Sequence, residues 1–145
     1  MEQKFDKPLL AMLFSILGAI PAGIFTEIMK ALHLTTISAP LATSMMFIRQ
    51  GSAVLGILSH IGYSAVLGLV LYYSPKIIGT DYYLLKAVFI SMLAESMLFI
   101  VFGNLVGNEH MFQDTVGNYV QAGAAAIAGL TRGYLIKRYL FKVKA

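Results

Sequence analysis

The chain has 145 residues, of which 58% are hydrophobic and 12% are charged, and its formal net charge is +4. A soluble domain has about 25% charged residues, and the apolar residues here fall in four segments of about 20 residues, which indicates an integral membrane protein. The absence of cysteine excludes disulfides, thiolate catalysis and cysteine-ligated metals. Because the basic residues lie beside the apolar segments, the positive charge indicates membrane orientation rather than nucleic-acid binding.

The fold that this pattern predicts is an all-α, polytopic membrane helical bundle in a single transmembrane domain, residues 1–145. Four transmembrane helices are predicted at residues 8–28, 53–74, 84–105 and 119–140, and the first is expected to be retained rather than cleaved as a signal peptide. Between the first two, Ser38, Ala39 and Pro40 predict the start of a short helix. It is too short to cross a bilayer, so it is either interfacial or re-entrant.

The first predicted span has a proline and a carboxylate in its interior. Pro21 should kink the helix, because it lacks the N–H that a regular helix requires. Ser15, Ala19 and Gly23 recur every fourth residue and predict a close helix contact, with Glu27 following on the same face. Glu27 is either a helix-end residue at the headgroup level or part of a polar path.

The second predicted span has one histidine on a face of small residues. Gly56, His60, Ser64 and Gly68 are spaced four residues apart and therefore share a helix face. His60 is expected to contact another helix rather than lipid. Either it makes a neutral hydrogen bond across that interface, or it handles a proton.

The third predicted span has a carboxylate at its midpoint, Glu95. An ionisable group at that depth costs on the order of 2.5–3.5 kcal/mol, so it is expected to face protein or water. Ala87, Ser91 and Gly103 share its face, which is interrupted by Phe99. The sequence therefore predicts that Glu95 lies in a helix contact.

The segment that follows, residues 107–118, is the most polar in the chain. It contains Glu109, His110 and Asp114. A solvated loop is the expected structure, and a metal site is the alternative that these ligand types suggest. Because their spacing matches no metal motif, no metal ligand is predicted.

The fourth predicted span has a small-residue series that includes Gly129 and Gly133, and Gln121 lies on roughly the same face as Arg132. With four spans, Lys and Arg divide unequally between the two sides of the membrane. One side has only Lys30 and Arg49, and the other has Lys4, Lys7, Lys76, Lys86, Lys137, Arg138, Lys142 and Lys144. The protein is therefore predicted to be a multi-pass cell-membrane protein with both termini in the cytoplasm.

Three of the intramembrane polar residues are predicted to lie at neighbouring depths. Measured from the cytoplasmic side, Arg132 lies ~12 Å, Glu95 ~16 Å and His60 ~20 Å into the bilayer, with Glu27 near the outer exit. In a structural interpretation, Glu95 pairs with Arg132 or is protonated, and so sets the helix register. In a functional interpretation, the three form a ladder that binds or relays a proton or cation.

Several short motifs in the second and third spans are distinctive: Ser59-His60, Ser64, Leu67-Gly68, residues 82–87 and the basic pair Lys137-Arg138. On these, the chain resembles a group of small bacterial four-span integral membrane proteins that have no assigned function. The resemblance implies a fold and no activity, and Glu95 lies outside its pattern.

No enzyme motif occurs: there is no HExxH, no glycine-rich phosphate loop and no nucleophile elbow. The sequence therefore predicts a non-enzymatic protein without a cofactor, acting as a membrane-embedded interaction or accessory subunit. The alternative is a small channel or transporter for a proton, cation or small solute that uses the Glu95, Arg132 and His60 ladder; a holin-like protein is a third class. The expected partners are the lipid bilayer and either a second copy or another membrane protein, since the small-residue faces would permit a homo-oligomer.

Overall fold

The computed structural model describes residues 6–141, which form seven α-helices and no strand. The helices are α1 (Lys7–Ala31), α2 (Ala39–Ser44), α3 (Ala53–Tyr73), α4 (Pro75–Ile78), α5 (Tyr83–Met97), α6 (Gly103–Val106) and α7 (Thr115–Leu140). A π-helical segment, Leu98–Phe102, joins α5 to α6, and Glu109–Met111 forms a 3₁₀ turn. The predicted all-α fold is confirmed. Lys4, Lys142 and Lys144, which entered the orientation argument, lie outside the described residues.

Three segments are long and apolar enough to cross a membrane: Lys7–Ala31, Ala53–Ile78 and Tyr83–Val106. The prediction of a fourth such segment at residues 119–140 is wrong by this criterion. Helix α7 is long enough at 26 residues, but Gln121, Arg132 and its glycines reduce its apolar character. Its polar residues are placed inside the bundle instead, where Gln121 and Arg132 are both buried.

The helix starts follow from local chemistry. Asp6 accepts a hydrogen bond from the backbone N–H of Leu9 at 3.4 Å, Ser52 accepts one from Leu55 at 3.4 Å, and Asp114 accepts one from Gly117 at 2.7 Å. Each of these side chains thereby satisfies one of the free N–H groups at a helix N-terminus. Pro21 lies inside α1, as the sequence requires.

Helix α7 packs against both α1 and α5, and α1 packs in turn against α3. The helices meet at glycines, since an added Cβ would collide with the neighbouring helix at Gly56, Gly68, Gly129 and Gly133. The prediction that Gly23 packs in this way is wrong, because a Cβ there would meet nothing within 4 Å. Gly18 takes that role on α1: its Cβ would lie 2.8 Å from the Cα of Arg132.

The short helix α2 is buried between α1 and α3 rather than lying on the surface. The backbone N–H of Ala39 donates to the Thr26 hydroxyl at 3.3 Å, and the Thr43 hydroxyl donates to the carbonyl of Gly56 at 3.2 Å. Helix α2 is therefore part of the bundle, and the choice between the re-entrant and the interfacial interpretation stays open.

The polar segment after α6 is fastened to the region around α2, so the expectation of a solvated loop is wrong for part of it. Asn108 is 1% exposed, and its Nδ2 donates to the carbonyls of Arg49 at 3.0 Å and Met45 at 3.4 Å. Gln113 Oε1 accepts hydrogen bonds from the Thr35 hydroxyl at 2.9 Å and the Thr36 backbone N–H at 3.0 Å.

Replacing Asn108 with alanine is expected to lower the free energy of unfolding by about 1–3 kcal/mol, because the buried carbonyl of Met45 and the part-buried carbonyl of Arg49 lose their donor. The matched control is Asn104→Ala, since Asn104 is exposed and bonds only within its own helix. Chemical unfolding in detergent, followed by circular dichroism, measures both. Equal unfolding midpoints for the two variants would show that this loop contact contributes nothing.

Candidate functional site

Three of the polar residues singled out in the sequence line one internal cavity: His60 from α3, Glu95 from α5 and Arg132 from α7. Five alanines complete its wall: Ala22, Ala39, Ala124, Ala125 and Ala128. We call this the inner cavity. Its small side chains are what allow three polar groups from three helices to approach one another.

Arg132 is held in place by hydrogen bonds to two other helices. It is 3% exposed, its Nε donates to the carbonyl of Ser15 at 3.2 Å, and its Nη2 donates to the Ser64 hydroxyl at 3.1 Å. Ser15 Oγ in turn donates to the carbonyl of Ser64 at 2.6 Å. Arg132 therefore fastens α7 to α1 and α3, and within residues 6–141 the guanidinium makes no hydrogen bond to Glu95.

The surroundings of the inner cavity contain an excess of unsatisfied polar atoms. In the described part of the chain, five buried atoms have no hydrogen-bond partner: His60 Nδ1, Tyr63 Oη, Ser91 Oγ, Glu95 Oε1 and Gln121 Oε1. A buried polar group left unpaired costs about 1–3 kcal/mol, so such atoms are few in stable folds. The Tyr63 hydroxyl lies close enough to the Glu95 carboxylate to interact with it, and the cluster as a whole makes this region the candidate functional site.

The inner cavity has a volume of about 10 Å³ for the centre of a water molecule. That is close to the ~10–15 Å³ that one water requires. Glu95, His60 and Arg132 supply both acceptors and donors, so the cavity suits a single bridging water or a proton in transit.

A second cavity, which we call the outer cavity, lies on the other side of Glu95 between α5 and α7. It has a volume of about 200 Å³. Its polar lining residues are Glu95, Ser96, Asn118 and Gln121. Ser96 and Asn118 are exposed, so the cavity opens to the surface. Glu95 and Ala125 line both cavities, and Glu95 is the polar one of the two.

The π-helical segment begins three residues after Glu95. The backbone N–H of Leu98 bonds to the carbonyls of both Ala94 and Glu95. A π segment adds a residue to the turn, and such segments occur frequently at functional sites. Here Leu98 and Gly103 lie on the buried face, and Phe99, which interrupts the four-residue pattern, is partly buried against the core cluster that contains Leu98 and Met111.

Between Arg132 and the end of the bundle where α1 begins and α7 ends, the core around Tyr83 consists of packed side chains. Tyr83 is 2% exposed and its hydroxyl donates to the carbonyl of Leu71 at 3.0 Å. The apolar side chains around it are Ala11, Leu71, Ala87, Ile136 and Leu140, all buried. The outer cavity is therefore the opening beside Glu95, and an apolar cavity of about 440 Å³ between α1, α5 and α7 does not include Glu95 in its lining.

Glu27 lies apart from this cluster and lines neither cavity, so its place near the outer exit of the ladder stays a prediction. It is exposed and lines a surface groove together with Lys30, Pro40 and Ile57. The buried residues of α1 continue as Ala22 and Thr26 rather than Gly23 and Glu27, because a strict four-residue spacing drifts around a helix of 3.6 residues per turn. Glu27 thus corresponds to the helix-end interpretation.

The polar residues of the 107–118 segment are also separated from one another. Asp114 caps α7, while Glu109 and His110 are exposed and line a different surface cavity. Among residues 6–141, no three His, Asp or Glu side chains come together as a metal site.

Tyr63 and Gln121 were not among the predicted site residues. Tyr63 lies one turn after His60, and the two ring centroids are 6.0 Å apart. The signal for Gln121 was its place on the Arg132 face of α7. Its Nε2 donates to the carbonyl of Ile37 at 2.9 Å and to the Thr35 hydroxyl at 3.2 Å, contacts that sequence spacing does not reveal.

No protein-family model matches the chain, and no curated protein or solved structure matches it significantly. The resemblance to four-span bacterial proteins therefore stays a prediction, and the argument for function depends on the geometry around Glu95.

Proposed function

We propose that the protein is a cell-membrane protein in which α7 crosses the bilayer as a fourth helix, shielded by the three apolar ones. At 26 residues it is ~39 Å long. Its least apolar residues, Gln121 and Arg132, are buried against the other helices. Both termini then lie on the side of Lys7, Lys76, Lys86, Lys137 and Arg138, which the excess of basic residues identifies as cytoplasmic.

We infer that this protein is a small carrier or channel for a proton or small cation, with Glu95 as the binding group. The observation that supports this most directly is the position of Glu95 between two cavities, with a buried oxygen that has no partner. A carboxylate that formed an ion pair with Arg132 would serve mainly to stabilise the fold. Glu95 makes no hydrogen bond to Arg132.

The two cavities suggest complementary roles for the surrounding groups. A proton or cation that arrives through the outer cavity neutralises Glu95. On the inner side, His60 and Tyr63 are the groups that can accept or donate a proton, through one water in the inner cavity. Arg132 stays fixed by Ser15 and Ser64 and provides a constant positive charge beyond the site.

The test is proton flux into liposomes that contain the purified protein, with a potassium-valinomycin potential and an internal pH dye. The wild type is expected to exceed empty liposomes, and Glu95→Gln is expected to lower the flux at least about tenfold because the titrating group is removed. Glu109→Gln is the control, since Glu109 is an exposed carboxylate outside both cavities, and it should match the wild type.

Wild-type flux indistinguishable from empty liposomes, with sodium and potassium gradients as well as protons, would contradict the transport proposal. Full flux in Glu95→Gln would contradict the assignment to this residue.

A membrane-embedded interaction or accessory subunit is the second candidate, and the filled core at the terminal end of the bundle favours it. In that case the polar cluster sets helix register, and the protein transports nothing. Purification in native lipid particles decides between the two: a stoichiometric protein partner together with absent flux supports the accessory role. The same preparation gives the oligomeric state.

A further inference from the structure

We propose that the outer cavity binds a small primary alkylammonium ion, with its nitrogen at Glu95 and Gln121 and its alkyl group against Phe99. This deepens the proposed function, on which it rests, by naming the class of ligand. The argument has three parts: the polar end of the cavity, its apolar wall and its size.

The polar end presents acceptors. Glu95 and Gln121 line this end of the cavity, and the Oε1 atom of each is buried beneath its surface without a hydrogen-bond partner. The orientation of the Gln121 amide is fixed, because its Nε2 donates to the carbonyl of Ile37, which can only accept. A carboxylate and an amide oxygen repel an anion and match a cation that carries N–H donors.

The mouth of the cavity adds further acceptors. Asn118 Nδ2 donates to the carbonyl of Gln113 at 3.1 Å, which leaves its side-chain oxygen free to accept. Ser96 Oγ donates to the carbonyl of Met92 at 2.9 Å and keeps its lone pairs. A primary ammonium has three N–H donors, so Glu95, Gln121 and one of these two groups can satisfy it.

The rest of the wall is apolar and includes one aromatic ring, Phe99. Met92, Ile100, Ala122 and Ala125 supply no ligand atom. A bare calcium ion takes about six to eight oxygen ligands, which this wall does not provide. An alkylammonium ion gains from both surfaces, because its carbon chain contacts the aliphatic side chains and its charge is attracted to an aromatic face.

The volume sets the size of the ligand. At about 200 Å³, the cavity is smaller than the roughly 300–1,000 Å³ typical of sites for drug-sized molecules. An ion with a few carbon atoms fits this space. Arg132 lines the inner cavity and not the outer one, so its charge lies on the far side of Glu95 from the ligand.

The experiment is isothermal titration calorimetry of the purified protein in detergent with ethylammonium chloride. Ethanol serves as the uncharged ligand of equal size, and sodium chloride serves as the metal cation. We expect saturable binding of ethylammonium and at least about tenfold weaker binding of both comparators, since each lacks either the charge or the N–H donors.

Two variants locate the ligand. Glu95→Gln is expected to weaken ethylammonium binding at least about tenfold, and Phe99→Leu about threefold, since leucine keeps the apolar contact and loses the ring face. Glu109→Gln should bind as the wild type does. The helical content and the thermal midpoint of each variant show whether it is folded. If Glu95→Gln fails to fold, Asn118→Leu at the exposed mouth tests the same cavity and is expected to weaken ethylammonium binding.

Equal binding of ethylammonium and ethanol, equal binding of sodium, or wild-type affinity in Glu95→Gln would each overturn this inference. Proton flux that depends on Glu95, without ethylammonium binding, would contradict the alkylammonium site and support the proposed transport function. Ethylammonium binding that depends on Glu95, without flux of any ion, would support the site and contradict the transport function.

Discussion

Replacing Arg132 with methionine is expected to lower the free energy of unfolding by about 3–5 kcal/mol. The guanidinium is 3% exposed and joins α7 to Ser15 of α1 and Ser64 of α3. Methionine fills a similar volume but donates no hydrogen bond. The carbonyl of Ser15 loses a donor, and Glu95, on the same inner cavity, loses its nearest positive charge.

The matched control is Arg138→Met, six residues further along α7. Arg138 is exposed and bonds the Tyr134 hydroxyl on its own helix at 2.7 Å, so its unfolding midpoint should equal that of the wild type. Unfolding in dodecylmaltoside by added SDS, followed by circular dichroism, measures both. Arg132→Lys should recover only part of the loss, because an ammonium lacks the planar fork that reaches two acceptors.

A double variant separates the charge of Arg132 from its hydrogen bonds. If a large share of the cost comes from leaving Glu95 without a compensating charge, Glu95→Gln should reduce the effect of Arg132→Met, and the two changes will not add. Strict additivity would mean that the two residues act independently, and that the guanidinium acts only through Ser15 and Ser64.

The helical bundle was accessible to sequence reasoning because its signals are local. Apolar length locates three of the long helices without knowledge of the neighbours. The side-chain caps at Asp6, Ser52 and Asp114 are equally local signals, although the predicted start of the last helix, residue 119, is later than its observed start at Thr115. Residues 119–140 do not meet the apolar criterion that three other segments meet, since α7 contains Gln121 and Arg132, which are buried against other helices.

The sequence predicted which polar residues lie at similar depths, but not which face of each helix they occupy. Depth along each helix predicted that His60, Glu95 and Arg132 lie at similar levels, and the structure places all three on one cavity. Rotation about the helix axes was harder to predict, because a strict four-residue spacing drifts around a helix of 3.6 residues per turn, and Ala22 and Thr26 rather than Gly23 and Glu27 are buried on α1. The face of Gln121 was predictable from its spacing to Arg132, but its partners Thr35 and Ile37, from a distant segment, were not.

Gly129→Ala is expected to destabilise the protein by about 3 kcal/mol, since overpacking forces helices apart. A Cβ at this position would lie 2.6 Å from Val88 Cα and 2.8 Å from the carbonyl oxygen of Ala87. Both are backbone atoms of α5, so rotation of a side chain cannot relieve the collision with the added Cβ. Helices α5 and α7 must therefore move apart, which widens the outer cavity between them.

The control is another glycine in the middle of an apolar helix, Gly62→Ala on α3. A Cβ there meets nothing within 4 Å, so the substitution is expected to stabilise the protein by about 0.4–1 kcal/mol through the lower flexibility of the unfolded chain. SDS unfolding measures both variants. If Gly129→Ala unfolds at the same SDS concentration as Gly62→Ala, α5 and α7 do not approach as closely as described, and the cavity that joins Glu95 to Gln121 does not have the shape on which alkylammonium binding depends.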